Sequence, residues 1–164
     1  MMKRLLVIVI ALLEAACGGI QPASHPSSQA ARIQVPSDSR SEVVLYAMGL
    51  IDIDYRFGGS NPASGLDCSG MVDYIFQNAV GLKLPHSAYQ IAQLGRDVDI
   101  GTLQPGDLVF FNTSSRPFSH VGLYIGDGKF IHAPNNNGKI KTSSIKSGYY
   151  AEKLAAARTF FAPQ

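Results

Sequence analysis

The sequence contains no tryptophan and only two cysteines, Cys17 and Cys68. A disulfide framework is therefore excluded, because two thiols close one bridge at most. Charge is also scarce: charged residues make up 16% of the 164, and the formal balance is +2. No run of Lys and Arg forms a basic stripe, so no nucleic-acid partner is expected. The lysines at 139–146 are separated by apolar and polar residues and read as a solvated face. Neither Cys-x-x-Cys nor His-Glu-x-x-His occurs, so the paired spacing of a zinc site is missing. The apolar run Leu5 to Leu13 is too short to span a bilayer as a helix. There is no internal repeat.

What is present describes a globular domain behind an export segment. Apolar residues reach 46%, enough for a core without staples. Lys3 and Arg4 precede the apolar run, and the small Ala15 and Ala16 precede Cys17. This order resembles a bacterial lipoprotein signal, in which the cysteine is acylated and becomes the new N-terminus. Residues 1–17 are read as that segment, with Cys17 as the lipidation site. Glu14 stands where such signals usually carry an aliphatic residue, and Gly18 rather than Asp follows the cysteine, which fits outer-membrane sorting. Residues 18–39 are rich in Pro, Ser, Ala and Gln and read as a flexible tether. Residues 40–164 form the expected domain.

Helices are expected first and strands later. Val44, Leu45, Met48 and Ile51 share a helical face within 41–51. Residues 54–59 read as an extended piece and 60–65 as a loop. A second helix should open at Cys68, capped by Asp67, with Met71, Val72, Ile75, Phe76, Ala79 and Val80 on one face and Gly81 at its end. A third fits 87–94. Residues 107–112, 120–125, 129–133 and 157–162 are strand-like, and Asp127-Gly128 marks a hairpin. This is an α+β pattern with an antiparallel sheet.

Cys68 lies between Asp67 and Ser69, outside any apolar pattern. Were Cys17 lipidated, Cys68 would be a lone thiol in an oxidising compartment, where an unused thiol is a liability. A thiol attacks a carbonyl as thiolate, and two devices favour that form. One is a helix N-terminus; the other is an adjacent imidazole holding it as an ion pair. The sequence offers both, with His120 at a strand start downstream. A catalytic imidazole needs a partner that orients it, and His132 is the candidate. Hairpin pairing of Gly126 with Lys129 brings His132 near Leu123, so a bulge or diagonal reach must carry it to His120. Tyr55 and Phe57 precede two glycines, and the Tyr55 hydroxyl can reach toward the thiol. His25 belongs to the tether, and His86, after Pro85, is read as structural, with a place along a groove as the lesser alternative. Zinc is the competing use of Cys68, His120 and His132, but a fourth ligand is not evident.

Five ordered motifs carry a resemblance: Tyr55-Arg56-Phe57-Gly58-Gly59, Asp67-Cys68-Ser69-Gly70, Pro105 to Phe111, His120 to Gly126, and Phe130-Ile131-His132-Ala133. Together they resemble the NlpC/P60 family over about residues 41–162, most nearly its small lipoprotein murein endopeptidases. The resemblance implies a papain-like fold, with Cys68 as nucleophile, His120 as general base and His132 as the residue orienting it. It also implies that Tyr55 lies in the active site, with Asp67 and Ser69 shaping the groove. Peptidoglycan stem peptides are the implied substrate, with no metal or organic cofactor; a monomer is the default, and the signal segment points to lipid attachment at the outer membrane, facing the periplasm. Cys68 precedes His120, opposite to the permuted lipid-acyltransferase branch. The loop 60–65 is longer than in close relatives. Two other readings stay open: a wall-binding lipoprotein without catalysis, and an amidase or acyltransferase with a non-wall substrate.

Overall fold

A computed structural model describes residues 34–134 and 138–163. The signal segment, Cys17 and most of the expected tether lie outside the described residues. Four helices and eight strands follow in the order α1 (Arg40–Gly49), β1 (Ser60–Asn61), β2 (Gly65–Leu66), α2 (Cys68–Val80), α3 (Ala88–Leu94), β3 (Arg96–Val98), β4 (Leu108–Phe111), β5 (His120–Gly126), β6 (Lys129–His132), β7 (Lys141–Ser144), α4 (Tyr149–Lys153) and β8 (Leu154–Thr159). Six strands form one antiparallel sheet in the order β3-β8-β4-β5-β6-β7.

The central helix forms for the reasons its sequence gives. Asp67 adopts an extended conformation and accepts from the Gly70 amide, satisfying one of the orphan donors of the first turn. Gly81 ends the helix in the left-handed region at φ 68, which costs a glycine least. Between these caps Met71, Val72, Ile75 and Phe76 are fully buried. They pack against Leu108, Phe110, Val121, Leu123 and Ile131 on one face of the sheet. The alternate residues Val109, Phe111, Tyr124 and Phe130 form a second cluster on the other face, as the two-residue strand period requires.

Several elements differ from the sequence expectation. Residues 60–61 and 65–66 make a small hairpin rather than a plain loop. The segment 141–144, read as a solvated face, is the edge strand β7; Lys-Thr-Ser-Ser has no apolar alternation to mark it. The last strand runs 154–159, not 157–162: beyond Thr159, Phe160 and Phe161 leave the ladder, and Phe161 bridges Val35. Both instead pack on Phe76, with ring centroids 5.6 and 6.2 Å away. The ordered chain also reaches into the expected tether: Val35 is buried and bonds Phe160 and Ala162 through its backbone.

Candidate active site

The first turn of α2 meets the start of β5 at a cleft of about 430 Å³. Cys68, Ser69, Asp67, Tyr55 and His120 all line it; His132 sits behind His120, fully buried. Cys68 is a partly buried free thiol at the N-terminal end of α2.

Asp67 organises this corner through four bonds. Its Oδ1 accepts from the Gly70 amide (2.7 Å) and the Ser69 hydroxyl (2.9 Å). Its Oδ2 accepts from the Gly58 amide (3.0 Å) and lies 2.8 Å from His86 Nε2. One carboxylate thereby fixes the helix end, the glycine turn and a neighbouring loop around the thiol. Gly70 is needed as it stands, since a Cβ there would collide with the Gly59 carbonyl. Tyr55 is held by its bridge to Leu66. Burial raises the pKa of its phenol, with further contributions from Asp67 and Cys68, so it remains a hydrogen-bond donor at neutral pH.

The histidine pair depends on a bulge. The Asp127-Gly128 turn has both residues at positive φ, 52 and 74, and pairs Gly126 with Lys129 as expected. Unbroken pairing from there would set His132 opposite Leu123, on the face away from His120. The register instead shifts between Tyr124 and Gly126, leaving Ile125 as the extra residue, and Leu123 pairs with Ile131. Continued by one residue, this register sets His132 across from Gly122, on the same face as His120. His120 Nε2 then lies 2.9 Å from His132 Nδ1, and His132 Nε2 lies 2.9 Å from Ser143 Oγ. His120 Nδ1 is left for the cleft. Tyr150 stacks on His120 (5.6 Å between centroids) and meets His132 edge-on (4.6 Å).

Burial decides the resting charge. It pushes the thiol up to about 11, opposed by the backbone amides of Val121, Ser69 and Cys68 and assisted by the Asp67 carboxylate. It pulls His120 down to about 4, against the attraction of Asp67, and His132 down to about 3. The unliganded pair is thus a neutral thiol beside a neutral imidazole, not the ion pair expected from the sequence. Backbone amides at the helix end favour the thiolate, but its desolvation outweighs them.

Sequence reasoning missed Ser143 and Tyr150 and gave groove lining by His86 the lesser weight. His86, read as structural, lines the cleft and bonds Asp67. Ser143 and Tyr150 lie in segments without apolar periodicity. Among the described residues, no three His, Cys, Asp or Glu side chains converge as a metal would require.

A helix-borne thiol facing a sheet-borne imidazole chain, within an α+β fold, is the papain-like arrangement. The sequence matches the NlpC/P60 family over residues 52–159, and the chain belongs to that family. It is 40% identical over 126 residues to gamma-DL-glutamyl hydrolase of Bacillus subtilis, covering 76% of this chain but 30% of that one. It is 33% identical over 168 residues to murein DD-endopeptidase MepS/murein LD-carboxypeptidase of Escherichia coli K12, covering 92% of this chain and 88% of that protein. Among solved structures, an NlpC/P60 family protein from Bacillus cereus superimposes with a TM-score of 0.70 at 28% identity, covering 79% of this chain and 42% of the other.

Proposed function

We propose that this protein is a cell-wall hydrolase, a cysteine endopeptidase that cuts peptide bonds in peptidoglycan stems or their cross-links. The observation that carries this reading is the line Ser143–His132–His120 opening on the same cleft as Cys68. Family membership and the coverage of the murein endopeptidase relative along nearly its whole length support it.

In this reading Cys68 is the nucleophile and His120 the general base. As Sγ attacks the peptide carbonyl, its proton passes to His120 Nδ1 and the S–C bond forms. The charge that gathers on the carbonyl oxygen meets amides at the helix end, where the macrodipole is positive. His120 then protonates the leaving amine as the C–N bond breaks. Water gives a proton to the same imidazole, attacks the thioester, and the sulfur leaves to recover its proton. His132, held by Ser143, keeps His120 in the tautomer and orientation this needs. Because the resting pair is neutral, no charge is buried until substrate has displaced water from the cleft.

The finer placement belongs to the same proposal. Cys17 carries the lipid, residues after it act as tether, and the domain works as a monomer from the outer membrane, facing the periplasm. Palmitate labelling of the wild type but not of Cys17→Ala is the expected result. For the activity, purified sacculi incubated with the full chain should release peptide fragments identifiable by mass spectrometry. Cys68→Ala should release none while keeping its circular dichroism spectrum; release at the wild-type rate would end the proposal.

A further inference from the structure

Among the described residues, the cleft is lined by one carboxylate, Asp67, and one guanidinium, Arg116, and no ion pair joins them. Asp67 has all four of its bonds satisfied within the protein, and His86 is spent on one of them. Arg116 is the only Lys or Arg lining the cleft among the described residues. Its backbone amide donates to Ser114 Oγ, and no hydrogen bond or ion pair of its guanidinium occurs among the described residues. Among the described residues this exposed cation makes no ion pair, and it lines the same cleft as the nucleophile, so it is free to pair with a bound anion.

The loop that carries Arg116 is built to hold it there. Ser119 Oγ accepts from the amides of Thr113 (2.9 Å) and Ser114 (3.0 Å), closing the loop at its base. Asn112 Oδ1 accepts from the Phe118 amide at 2.8 Å. Pro117 restricts the Arg116 backbone to extended conformations. Phe118 is held at φ 49, a region a non-glycine side chain avoids, and its ring is anchored edge-on to Phe110 at 5.9 Å. A loop needed only to join β4 and β5 has no reason to fix this conformation.

We propose that Arg116 is a specificity-determining residue that pairs with a free carboxylate of the substrate next to the scissile bond. This rests on the peptidase reading above and deepens it. A guanidinium matches a carboxylate through two parallel N–H donors, a geometry a carboxamide cannot answer. Wall stems offer two such groups: the α-carboxylate of a glutamate linked through its side chain, and the side-chain carboxylate of a diamino acid. Both are the same chemistry, and both are lost on amidation. Arg116 therefore makes the enzyme selective for unamidated stems.

The experiment uses synthetic stem peptides in three forms: both carboxylates free, the glutamate α-carboxylate amidated, and the diamino-acid carboxylate amidated. Initial rates are measured with the full chain, with Arg116→Met and with Arg116→Lys. For the wild type, amidation of one of the two positions should lower kcat/KM by about tenfold to a hundredfold, mainly through KM, as loss of a charge-assisted bond does. That position is then the partner. In Arg116→Met the ratio between free and amidated peptide should collapse toward one, and Arg116→Lys should restore part of it. A wild type indifferent to both amidations, or a methionine variant that keeps the full preference, would overturn the proposal while leaving the peptidase reading intact. Failure of the wild type to cut any of the three peptides would overturn this proposal, while the peptidase reading is decided separately by the sacculus digest. An exposed rim residue is a safe substitution, and unchanged melting curves confirm that the variants fold.

Discussion

If the resting pair is neutral, Cys68 must be a sluggish nucleophile toward small reagents. The perturbation is alkylation by iodoacetamide as a function of pH, using the full chain with Cys17→Ala so that Cys68 is the sole thiol. With its pKa pushed up to about 11, the thiolate fraction at pH 7 is about one in ten thousand, against about three in a hundred for a free cysteine near 8.5. That is a deficit of roughly 300-fold in reactive form. A more basic thiolate attacks faster, and a Brønsted slope of about 0.45 recovers roughly tenfold over this interval. The net expectation is alkylation about 30-fold slower than for the same chain unfolded in urea. Access to the cleft also affects the absolute rate, so the shape of the profile is the deciding reading. A neutral pair gives a logarithmic rate that climbs with unit slope from pH 7 to pH 10. An ion pair gives a plateau that begins where His120 becomes protonated and extends across neutrality. A plateau spanning pH 5 to 8 would refute the argument that desolvation keeps the thiol neutral.

The buried imidazoles should also make the fold acid-sensitive. His120 and His132 lie at about 4 and about 3 in the folded chain, below the ordinary histidine value of 6.5. As pH falls below that value the unfolded chain takes up protons first, so stability present at neutral pH is lost on acidification, by about 2 kcal/mol per histidine between pH 7 and 5. Urea melts at the two pH values measure it, and His132→Asn should remove about half of the loss; melts that coincide at both pH values would contradict the burial of these rings. Gly122→Ala should cost about 1–3 kcal/mol and depress turnover, because the new Cβ collides with the Phe130 ring beside His132; an unchanged melting temperature would mean that Phe130 yields freely. Ser143→Ala removes the hydroxyl 2.9 Å from His132 Nε2 and should slow sacculus digestion by about fivefold to tenfold, the worth of one hydrogen bond, with little change in stability. Digestion at the full rate would leave Ser143 without a positioning role.

The sequence displayed the parts of this site that local rules govern. Asp67, Cys68 and Gly81 bracket α2 by cap chemistry, and Asp127-Gly128 sets the hairpin by its need for positive φ. Both features are decided within a few residues, so they can be read without knowing the fold. His86 could not be read this way. Its meaning comes from a carboxylate across the cleft, and nothing around Pro85 points to that partner. Tyr150 belongs to a short helix with no buried residue of its own, and it acts through ring contacts with three strands: Phe111 on β4, His120 on β5, and Phe130 and His132 on β6. β7 is a polar edge strand whose contribution is the single hydroxyl of Ser143. Periodicity marks segments that bury a face, and these segments do not.

The strand bulge shows how closely the chemistry is tied to one backbone irregularity. His120 and His132 are on adjacent strands of a hairpin whose turn fixes the starting register. Side chains alternate across a sheet, so a pairing offset by one residue puts the two imidazoles on opposite faces. No rotamer change can repair that, because the sheet itself lies between them. The extra residue, Ile125, restores the match and is itself packed against the main core, so burial holds the irregularity in place. Gly122 then leaves room for the Phe130 ring beside the pair. The contact between the two rings therefore depends on a bulge at a partly buried isoleucine five residues from His120, in a position that carries no chemistry of its own.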